Sequence, residues 1–298
     1  MQYTTARLVA GFVVATAGAA TAQPLIGGNL LPTPSLVSVD LADASTMQLV
    51  ALGDNPQGLA YDEASGELYS ISAGSDSVSR IDMTTGVMTL IAPFPYENAN
   101  ALAYHSGRKL LYAADINSNT LFTIDPVTRD VSEIGVISGA QDIEGLAYDA
   151  GRDILYGAAD RADEIVIIDP DTAAATSIGL RRPAVNWRGL TYSPSLGALF
   201  ASVSVSGSPY RIDDPAGSPS LTEIGRIAPA GAVQGLAWVE EESCCADLDG
   251  DGVLTFFDFL EFQNLFAMGD LRADFTGDGA LDFFDFLAFQ NEFAAGCP

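Results

Sequence analysis

The sequence repeats itself with a period of 42 to 46 residues, and this periodicity limits the possible folds more than any other feature. The segment GLAYD at residues 58–62 returns as ALAYH at 101–105, GLAYD at 145–149, GLTYS at 189–193 and GLAWV at 235–239. A Leu-aromatic pair and an aliphatic-Asp pair recur at the same spacing. A fixed period of this length predicts an architecture of repeated units that stack on one another.

Each unit contains four short apolar or alternating runs separated by Gly, Pro, Asp and Ser, as in residues 145–178. Four strands in every 40 to 45 residues predict a blade of a β-propeller. The fifth GLAYD-like run is followed by acidic residues and Cys, whereas residues 24–53 form a unit that lacks its first strand. We therefore expect an all-β, five-bladed propeller over residues 23–240, closed by its C-terminal strand, which removes open sheet edges.

The repeats resemble those of YVTN/NHL-type propellers, through a GLAYD…LY…IDPxTG pattern over residues 35–239. This resemblance implies the fold and no particular function, because such propellers include binding proteins, scaffolds and hydrolases. The Asp of each aliphatic-Asp pair is interpreted as a capped turn rather than as part of a metal site. The same interpretation applies to His105, which occupies the position of Asp62 and Asp149 in other units.

Polar residues precede each repeated first strand, where the chain would enter the central channel. Because residues i and i+2 of an extended chain point the same way, those one and three positions before the GLAY motif are expected to surround one mouth. Such a mouth suits a polar small ligand, a carbohydrate or a peptide end, and a solvated funnel without a ligand fits equally well. The candidate ligand-binding residues are Gln57, Asn98, Asn100, Asp142, Glu144, Arg188 and Gln234.

The sequence contains no HExxH or GxSxG motif and no phosphate-binding loop. Asp142 and Glu144 are neighbours on one strand, whereas the two carboxylates of a glycosidase face each other across the bound sugar. We therefore expect a binding or scaffold protein without catalytic residues. The alternative is a carbohydrate-active propeller enzyme of the O-glycosyl hydrolase type.

Two acidic twelve-residue segments, DLDGDGVLTFFD and DFTGDGALDFFD, dominate the C-terminal region. A calcium loop places oxygen ligands at positions 1, 3, 5, 7, 9 and 12, with Gly at position 6 for a sharp turn. Both segments follow this spacing, and ligands that are all oxygen favour a hard cation, so two calcium ions are predicted. The predicted ligands are Asp247, Asp249, Asp251, the Val253 carbonyl, Thr255 (directly or through water) and Asp258, then Asp274, Thr276, Asp278, the Ala280 carbonyl, Asp282 and Asp285.

Each loop leads into a Phe-rich segment with apolar residues at helical spacing, at residues 259–267 and 286–294. A repeated loop-helix pair without an entering helix resembles a dockerin domain of the GC type, found at the C terminus of exported bacterial proteins. The resemblance covers residues 244–298. It implies calcium-dependent folding and docking onto a surface partner, a cohesin in the familiar case, in assemblies for polysaccharide catabolism.

The loops depart from the dockerin pattern at positions 10 and 11, where Phe replaces the usual small hydroxyl residues. This favours a partner recognised through aromatic anchors over an ordinary cohesin. The same rings could also belong to the core of so small a module. The candidate docking residues are Phe256, Phe257, Phe283 and Phe284.

Residues 1–22 have the layout of a secretory signal, with an apolar stretch too short to span a membrane and a small-residue cleavage motif. We expect an exported protein, extracellular or at the cell surface and not membrane-spanning after cleavage. In that setting Cys297 is expected to pair with Cys245 or Cys244. The predicted domains are a signal peptide (1–22), the propeller (23–240) and a small helical calcium-binding domain (241–298).

The chain carries 39 acidic and 13 basic residues, a formal net charge of −26. A surface this acidic repels phosphate backbones and anionic lipids, which argues against a nucleic-acid or membrane-surface role. Residues 240–298 alone hold 14 acidic residues and one Arg, so half of the net charge lies in this segment.

Overall fold

The computed structural model divides the chain at Glu240 and Glu241 into two compact units. The first unit is all-β and the second contains two α-helices. The structure describes residues 25–30, 32–72, 74–183, 186–204, 208–227, 233–240, 246–249, 253–276 and 279–296. The predicted signal peptide and the cysteines at 244, 245 and 297 lie outside the described residues.

The first unit is a five-bladed propeller in which each blade is a four-stranded antiparallel sheet. Blade 1 contains β1 (Leu25–Asn29), β2 (Ser35–Val39), β3 (Thr46–Ala51) and β20 (Val233–Trp238). Blade 2 contains β4 (Gly58–Asp62), β5 (Glu67–Ser72), β6 (Ser77–Ile81) and β7 (Met88–Pro93). Blade 3 contains β8 (Ala99–His105), β9 (Leu110–Asp115), β10 (Thr120–Ile124) and β11 (Val131–Val136). Blade 4 contains β12 (Ile143–Asp149), β13 (Ile154–Ala159), β14 (Glu164–Ile168) and β15 (Ala175–Arg181); blade 5 contains β16 (Trp187–Ser193), β17 (Ala198–Val203), β18 (Tyr210–Asp213) and β19 (Ser220–Glu223).

The C-terminal strand of this unit closes the ring, as the sequence predicted. Strand β20 is the innermost strand of blade 1 and pairs with β1, so that Trp238 lies opposite Leu25 and Leu236 opposite Gly27. Blade 1 therefore has the order β20-β1-β2-β3, while the other blades follow the chain order. The first and last strands of the propeller hold each other in one sheet.

The strands differ in burial according to their distance from the channel. Second strands such as β9 and β17 are almost fully buried, because each blade packs on both faces against its neighbours. Outer strands such as β7 and β11 are largely exposed. The clusters of buried side chains accordingly extend from one blade into the next, as the cluster formed by blades 3 and 4 does.

The repeated Asp residues cap turns. Asp82 accepts hydrogen bonds from the N–H groups of Thr84 and Thr85, both at 2.9 Å, and these bonds lower the pKa of its carboxyl. Asp40, Asp125 and Asp169 accept comparable bonds two residues along the chain. In blade 5 the turn differs, because Asp213 is bound by the Arg211 side chain and Asp214 accepts the N–H of Ser218.

The innermost strands approach one another closely where the GLAY motif begins. A Cβ atom on Gly189 would lie 2.0 Å from the carbonyl oxygen of Gln234 in blade 1. A Cβ atom on Gly145 would lie 2.3 Å from the carbonyl oxygen of Arg188 in blade 5. Backbone cannot yield to such overlaps as a flexible side chain could, so glycine is required at these positions.

The second unit consists of α1 (Phe256–Met268), a short 3-10 turn (Leu271–Ala273) and α2 (Phe283–Ala295). Both helices begin three residues earlier than the apolar spacing predicted. The reason is local: Thr255 and Asp282 serve as N-caps of complete capping boxes. Phe262 stacks on Phe289 at 4.4 Å between ring centroids, and these rings form the centre of a small core. Among the described residues, no helix is both long and apolar enough to cross a membrane.

We predict that Gly189→Ala destabilises the propeller by roughly 2 kcal/mol, because its Cβ would overlap backbone of the next blade. Both tryptophans, Trp187 and Trp238, belong to the propeller, so their fluorescence during urea unfolding reports on this unit alone. The control is Gly53→Ala, whose Cβ would meet nothing within 4 Å. Equal unfolding midpoints for the two variants would contradict the close-approach argument.

Candidate functional site

Three of the predicted mouth residues form one hydrogen-bonded group that joins three blades. The Glu144 carboxylate accepts a hydrogen bond from Asn100 Nδ2 at 3.1 Å through one oxygen. Its other oxygen pairs with the Arg188 guanidinium. Glu144 is buried, with 8% of its surface exposed, so the pair lies in a medium that screens it poorly. This group holds the ends of β8, β12 and β16 together.

Bulges in the innermost strands place these side chains. The pairing of β8 with β9 shifts register around Asn100, and that of β12 with β13 shifts around Glu144. Asp142 has a left-handed backbone with φ 56°. The extended chain assumed in the sequence prediction is therefore wrong here, because a bulge redirects the side chain of the extra residue.

The remaining mouth residues contribute in other ways. Asn98 lies beside Asn100, with 3.5 Å between Asn98 Oδ1 and Asn100 Nδ2. Asp142 lies close enough to Asp160 to affect its charge, and burial raises the pKa of Asp160. Backbone groups act at the last two positions: the Gln57 N–H donates to a carbonyl of β5, and the Gln234 carbonyl accepts the Ser202 hydroxyl at 2.6 Å.

The channel is narrow at this end. The space lined by Asn100, Glu144 and the glycines of the GLAY motifs is too small to admit a water molecule. Side chains from blades 3, 4 and 5 bond to one another here, at the mouth where the sequence allowed either a polar ligand or a solvated funnel. At this level the group ties blades together.

A cavity of about 180 Å³ lies at the opposite end of the channel. Its rim holds one aromatic side chain from each blade, always the fourth residue of the GLAY motif. The sequence prediction treated this motif only as a marker of the fold, although the recurring aromatic residue was visible in it. We call this the tyrosine-rimmed cavity, and its aromatic residues are Tyr61, Tyr104, Tyr148, Tyr192 and Trp238.

Four of these aromatic rings wedge between neighbouring blades. Tyr104 stacks on Tyr69 of blade 2, with 6.0 Å between ring centroids. Trp238 stacks on Phe200 of blade 5 at 5.0 Å. Tyr148 stacks on His105 of blade 3 at 3.9 Å, and Tyr192 stacks on Tyr156 of blade 4 at 6.4 Å. One face of each of these rings is therefore covered by the neighbouring blade, and the cavity is also lined by apolar residues of the innermost strands.

The tyrosine hydroxyls at the rim are bound by charged groups. Tyr148 donates to Asp153 at 2.9 Å, and Tyr192 accepts from Arg152 at 3.0 Å. Burial, with the nearby Asp62 carboxylate, raises the pKa of Tyr104 to about 12. These hydroxyls therefore stay protonated at neutral pH, and each oxygen keeps lone-pair capacity for a further donor.

His105 lies between two blades and caps a turn, as predicted. Its ring stacks on Tyr148 at 3.9 Å, and its Nδ1 accepts the N–H of Arg108 at 3.3 Å. Its Nε2 lies 3.2 Å from Asp153 Oδ1. Burial lowers the pKa of His105, and Asp153 only partly opposes that effect.

The first predicted calcium loop brings three carboxylates together. One oxygen from each of Asp247, Asp249 and Asp258 lies within 4.8 Å of the other two. Calcium binds oxygen at about 2.4 Å, so one ion spans donors up to ~5 Å apart and fits this group. Asp258 is fully buried; burial alone would raise its pKa, but N–H groups of Thr255, Asp249 and Leu248 lower it. Asp251 lies outside the described residues.

In the second loop Thr276 stands at position 3, where the first loop has Asp249, and Asp278 lies outside the described residues. The Thr276 hydroxyl donates to Asp285 at 2.9 Å, and the Gly279 N–H donates to Asp274 at 2.8 Å. Gly279 has φ 80°, the left-handed backbone that the sharp turn requires. The loop thus has the turn geometry expected for position 6.

Not all predicted ligands are equally available to an ion. Thr255 accepts the N–H of Phe257 at 3.0 Å, and Asp282 accepts that of Phe284 at 2.8 Å. Both side chains at position 9 are therefore engaged as helix caps, which suits contact with an ion through water. Val253 and Ala280, whose carbonyls were predicted at position 7, are both exposed.

The four candidate docking residues lie in the first turns of the two helices, with about two thirds of each ring exposed. The exposed fractions are 65% for Phe256, 66% for Phe257, 64% for Phe283 and 65% for Phe284. The core of the unit is formed by other aromatic side chains. The sequence allowed these rings either to dock onto a partner or to pack in the core. Their exposure is that required for docking.

Comparison with known proteins supports the fold alone. No family model matches the chain, and no curated protein matches it significantly. A solved structure of a nidogen/laminin complex is similar at a TM-score of 0.52 and 14% identity, over 72% of this chain and 85% of that one. A structural genomics protein of unknown function from Bacteroides thetaiotaomicron VPI-5482 is similar at a TM-score of 0.51 and 16% identity, over 65% of this chain and 53% of that one.

We predict that Arg188→Leu lowers the free energy of unfolding of the propeller by on the order of 2 kcal/mol, because it leaves the buried Glu144 carboxylate without its cation. Adding Glu144→Gln should recover part of the loss, since a neutral amide costs less to bury. Urea unfolding followed by tryptophan fluorescence measures both effects. The exposed Arg161 supplies a control, Arg161→Leu, expected within about 0.5 kcal/mol of the wild type.

We predict that His105, the only histidine, titrates below its ordinary pKa of 6.5 in the folded protein. The unfolded chain then binds the proton more readily, so this stabilising contribution is present above about pH 6.5 and is lost as the pH falls. NMR of the imidazole protons in tag-free protein measures the midpoint directly. A midpoint at or above 6.5 would contradict the effect of burial. His105→Ser, which copies the Ser193 of blade 5, should remove this part of the pH dependence.

Proposed function

We propose that this chain is an exported binding or scaffold protein, in which the propeller binds a partner and the C-terminal unit is a dockerin-like, calcium-dependent docking domain. The observation that carries the proposal is the convergence of Asp247, Asp249 and Asp258 at the start of α1. The position-12 carboxylate also accepts N–H groups from its own loop, so it couples loop shape to the start of the helix. An ion on this loop would fix that geometry further.

The two exposed phenylalanine pairs support a docking role for the same unit. Each pair directly follows a loop, in the first turn of α1 or α2, so the loop geometry determines where the rings are presented. Calcium would order the loops and thereby preorganise the rings. A partner with an aromatic-binding pocket fits this surface better than an ordinary cohesin, as the sequence also indicated.

Carbohydrate hydrolysis receives less support from the geometry. Both oxygens of Glu144 are already bound, one by Asn100 and one by Arg188. A general acid or nucleophile needs an oxygen that can reach the substrate. A role in polysaccharide catabolism therefore rests only on the resemblance to dockerins. A carbohydrate is still one of the ligands that the propeller could bind.

We predict that the full chain binds two calcium ions, measured by isothermal titration calorimetry. Asp247→Asn with Asp249→Asn should remove one of them, because it takes two charged ligands from the first loop. Glu292→Gln, an exposed acidic residue of α2, is the control and should leave both. Binding of no calcium by the wild type would refute the metal assignment.

Chelation provides the second measurement of the same prediction. EDTA should reduce the helical circular dichroism of the full chain while the tryptophan fluorescence of the propeller stays constant. Capture of a surface partner should require calcium and should be lost in Phe256→Ser with Phe257→Ser, which leaves the loop carboxylates in place. Capture that persists in EDTA would refute calcium-dependent docking.

A further inference from the structure

The tyrosine-rimmed cavity has the size of a single side chain. Its volume is about 180 Å³. A lysine or arginine side chain, with five to seven heavy atoms beyond its Cα, fills such a space. Its walls combine the apolar side chains of Leu59, Leu102 and Leu146 with the backbone of the innermost strands. An occupant with an apolar stem and a polar tip suits these walls.

The end of the propeller that holds the cavity is also its acidic end. Because all blades are antiparallel, the turns after first strands and after third strands lie at this end. Together with Glu240 these turns contain fourteen acidic and four basic residues, whereas the turns at the other end contain six acidic and three basic ones. The acidic end comprises residues 40–45, 62–66, 82–87, 105–109, 125–130, 149–153, 169–174, 193–197 and 213–219.

The negative charge is concentrated at the rim itself. Asp62 and Glu63 line the cavity, and burial together with the charges of Glu240 and Asp62 raises the pKa of Glu63. Two guanidinium groups in the turns at this end are already paired, Arg152 with Asp149 and Arg108 with Asp171. Like charges therefore remain close together at the entrance, and a bound cation would relieve their repulsion.

We propose that the tyrosine-rimmed cavity binds one lysine or arginine side chain of a polypeptide partner whose basic segment lies across the acidic end of the propeller. The alkyl stem packs against the apolar walls. The cationic tip reaches tyrosine oxygens, backbone carbonyls and the carboxylates of Asp62 and Glu63. This inference names the ligand class for the propeller's proposed binding function, and it does not depend on the calcium loops.

The test uses peptides with a single charge, because any polycation adheres to a protein of net charge −26. The full chain, saturated with calcium, is titrated with Ac-Gly-Gly-Lys-Gly-Gly-NH2 and with the norleucine analogue, which keeps the stem and lacks the charge. Trp238 at the rim reports binding by its fluorescence, and calorimetry gives the affinity. We expect the lysine peptide to bind and the norleucine peptide to bind at least about tenfold more weakly.

Two variants locate the site. Ala150 is exposed at the rim, so Ala150→Phe should block the entrance and abolish binding, whereas Ala216→Phe in an outer turn should not. Glu63→Gln with Glu240→Gln should weaken binding about tenfold. Its control, Glu97→Gln with Glu133→Gln, changes the total charge by the same amount at a turn of the other end and on an outer strand of the propeller.

The outcomes separate this inference from its competitors. Equal binding of the lysine and norleucine peptides, or equal loss in the rim variant and its charge-matched control, would overturn it. Binding of cadaverine, but neither of the lysine peptide nor of its analogue with arginine in place of lysine, would assign the cavity to a free amine and overturn the polypeptide partner. Because calcium is held constant throughout, none of these results bears on the docking tail.

Discussion

The propeller depends on the close approach of its innermost strands at the glycines of the GLAY motif. At Gly145 and Gly189 the next strand's backbone occupies the space in which a Cβ atom would lie. In four of the five blades this position is a glycine, which leaves room for the backbone of the next strand; blade 3 has the small residue Ala101 there. The polar group of Asn100, Glu144 and Arg188 lies one residue before these contacts and ties three blades together at the same level. The central channel is narrow at this end because the innermost strands approach one another so closely.

The same motif opens the other end of the channel. Three residues after the glycine stands Tyr or Trp, whose ring is wedged against the preceding blade instead of filling the channel, as Tyr104 on Tyr69 and Trp238 on Phe200 show. Each innermost strand thus has a small residue at its start and a large one near its end. The channel is therefore closed at one end and has the tyrosine-rimmed cavity at the other. One repeated tetrapeptide determines both the packing of the blades and the shape of the cavity.

The fold was predictable from the sequence because every blade carries the same markers at the same spacing, including the orphan strand that closes blade 1. The site was less predictable, since periodicity does not reveal bulges. The bulge at Glu144 and the left-handed backbone at Asp142 break the alternation from which the mouth was inferred. Three of the side chains that seemed free to bind a ligand, those of Asn100, Glu144 and Arg188, bond to one another instead. The cavity was predictable from the recurring aromatic residue, because this residue lies near the C-terminal end of every innermost strand and these ends meet at one end of the channel.

The overall charge of −26 combines two acidic regions that have different physical causes. In the C-terminal unit the carboxylates occur at ligand spacing and converge to within a few ångströms, which is costly unless a cation or loop N–H groups compensate. On the propeller they are spread over turns, where several cap N–H groups, and Asp62, Glu63 and Glu240 lie close together at the cavity rim. Chelation should therefore change the structure of the C-terminal unit. Ionic strength should mainly change the electrostatic attraction of the propeller for cations, because salt screens exposed charges over about 8 Å at physiological concentration. Calcium bound by the loops would reduce the net negative charge of the C-terminal unit and leave the charged residues of the propeller unchanged, so the two proposed interactions depend on separate sets of carboxylates.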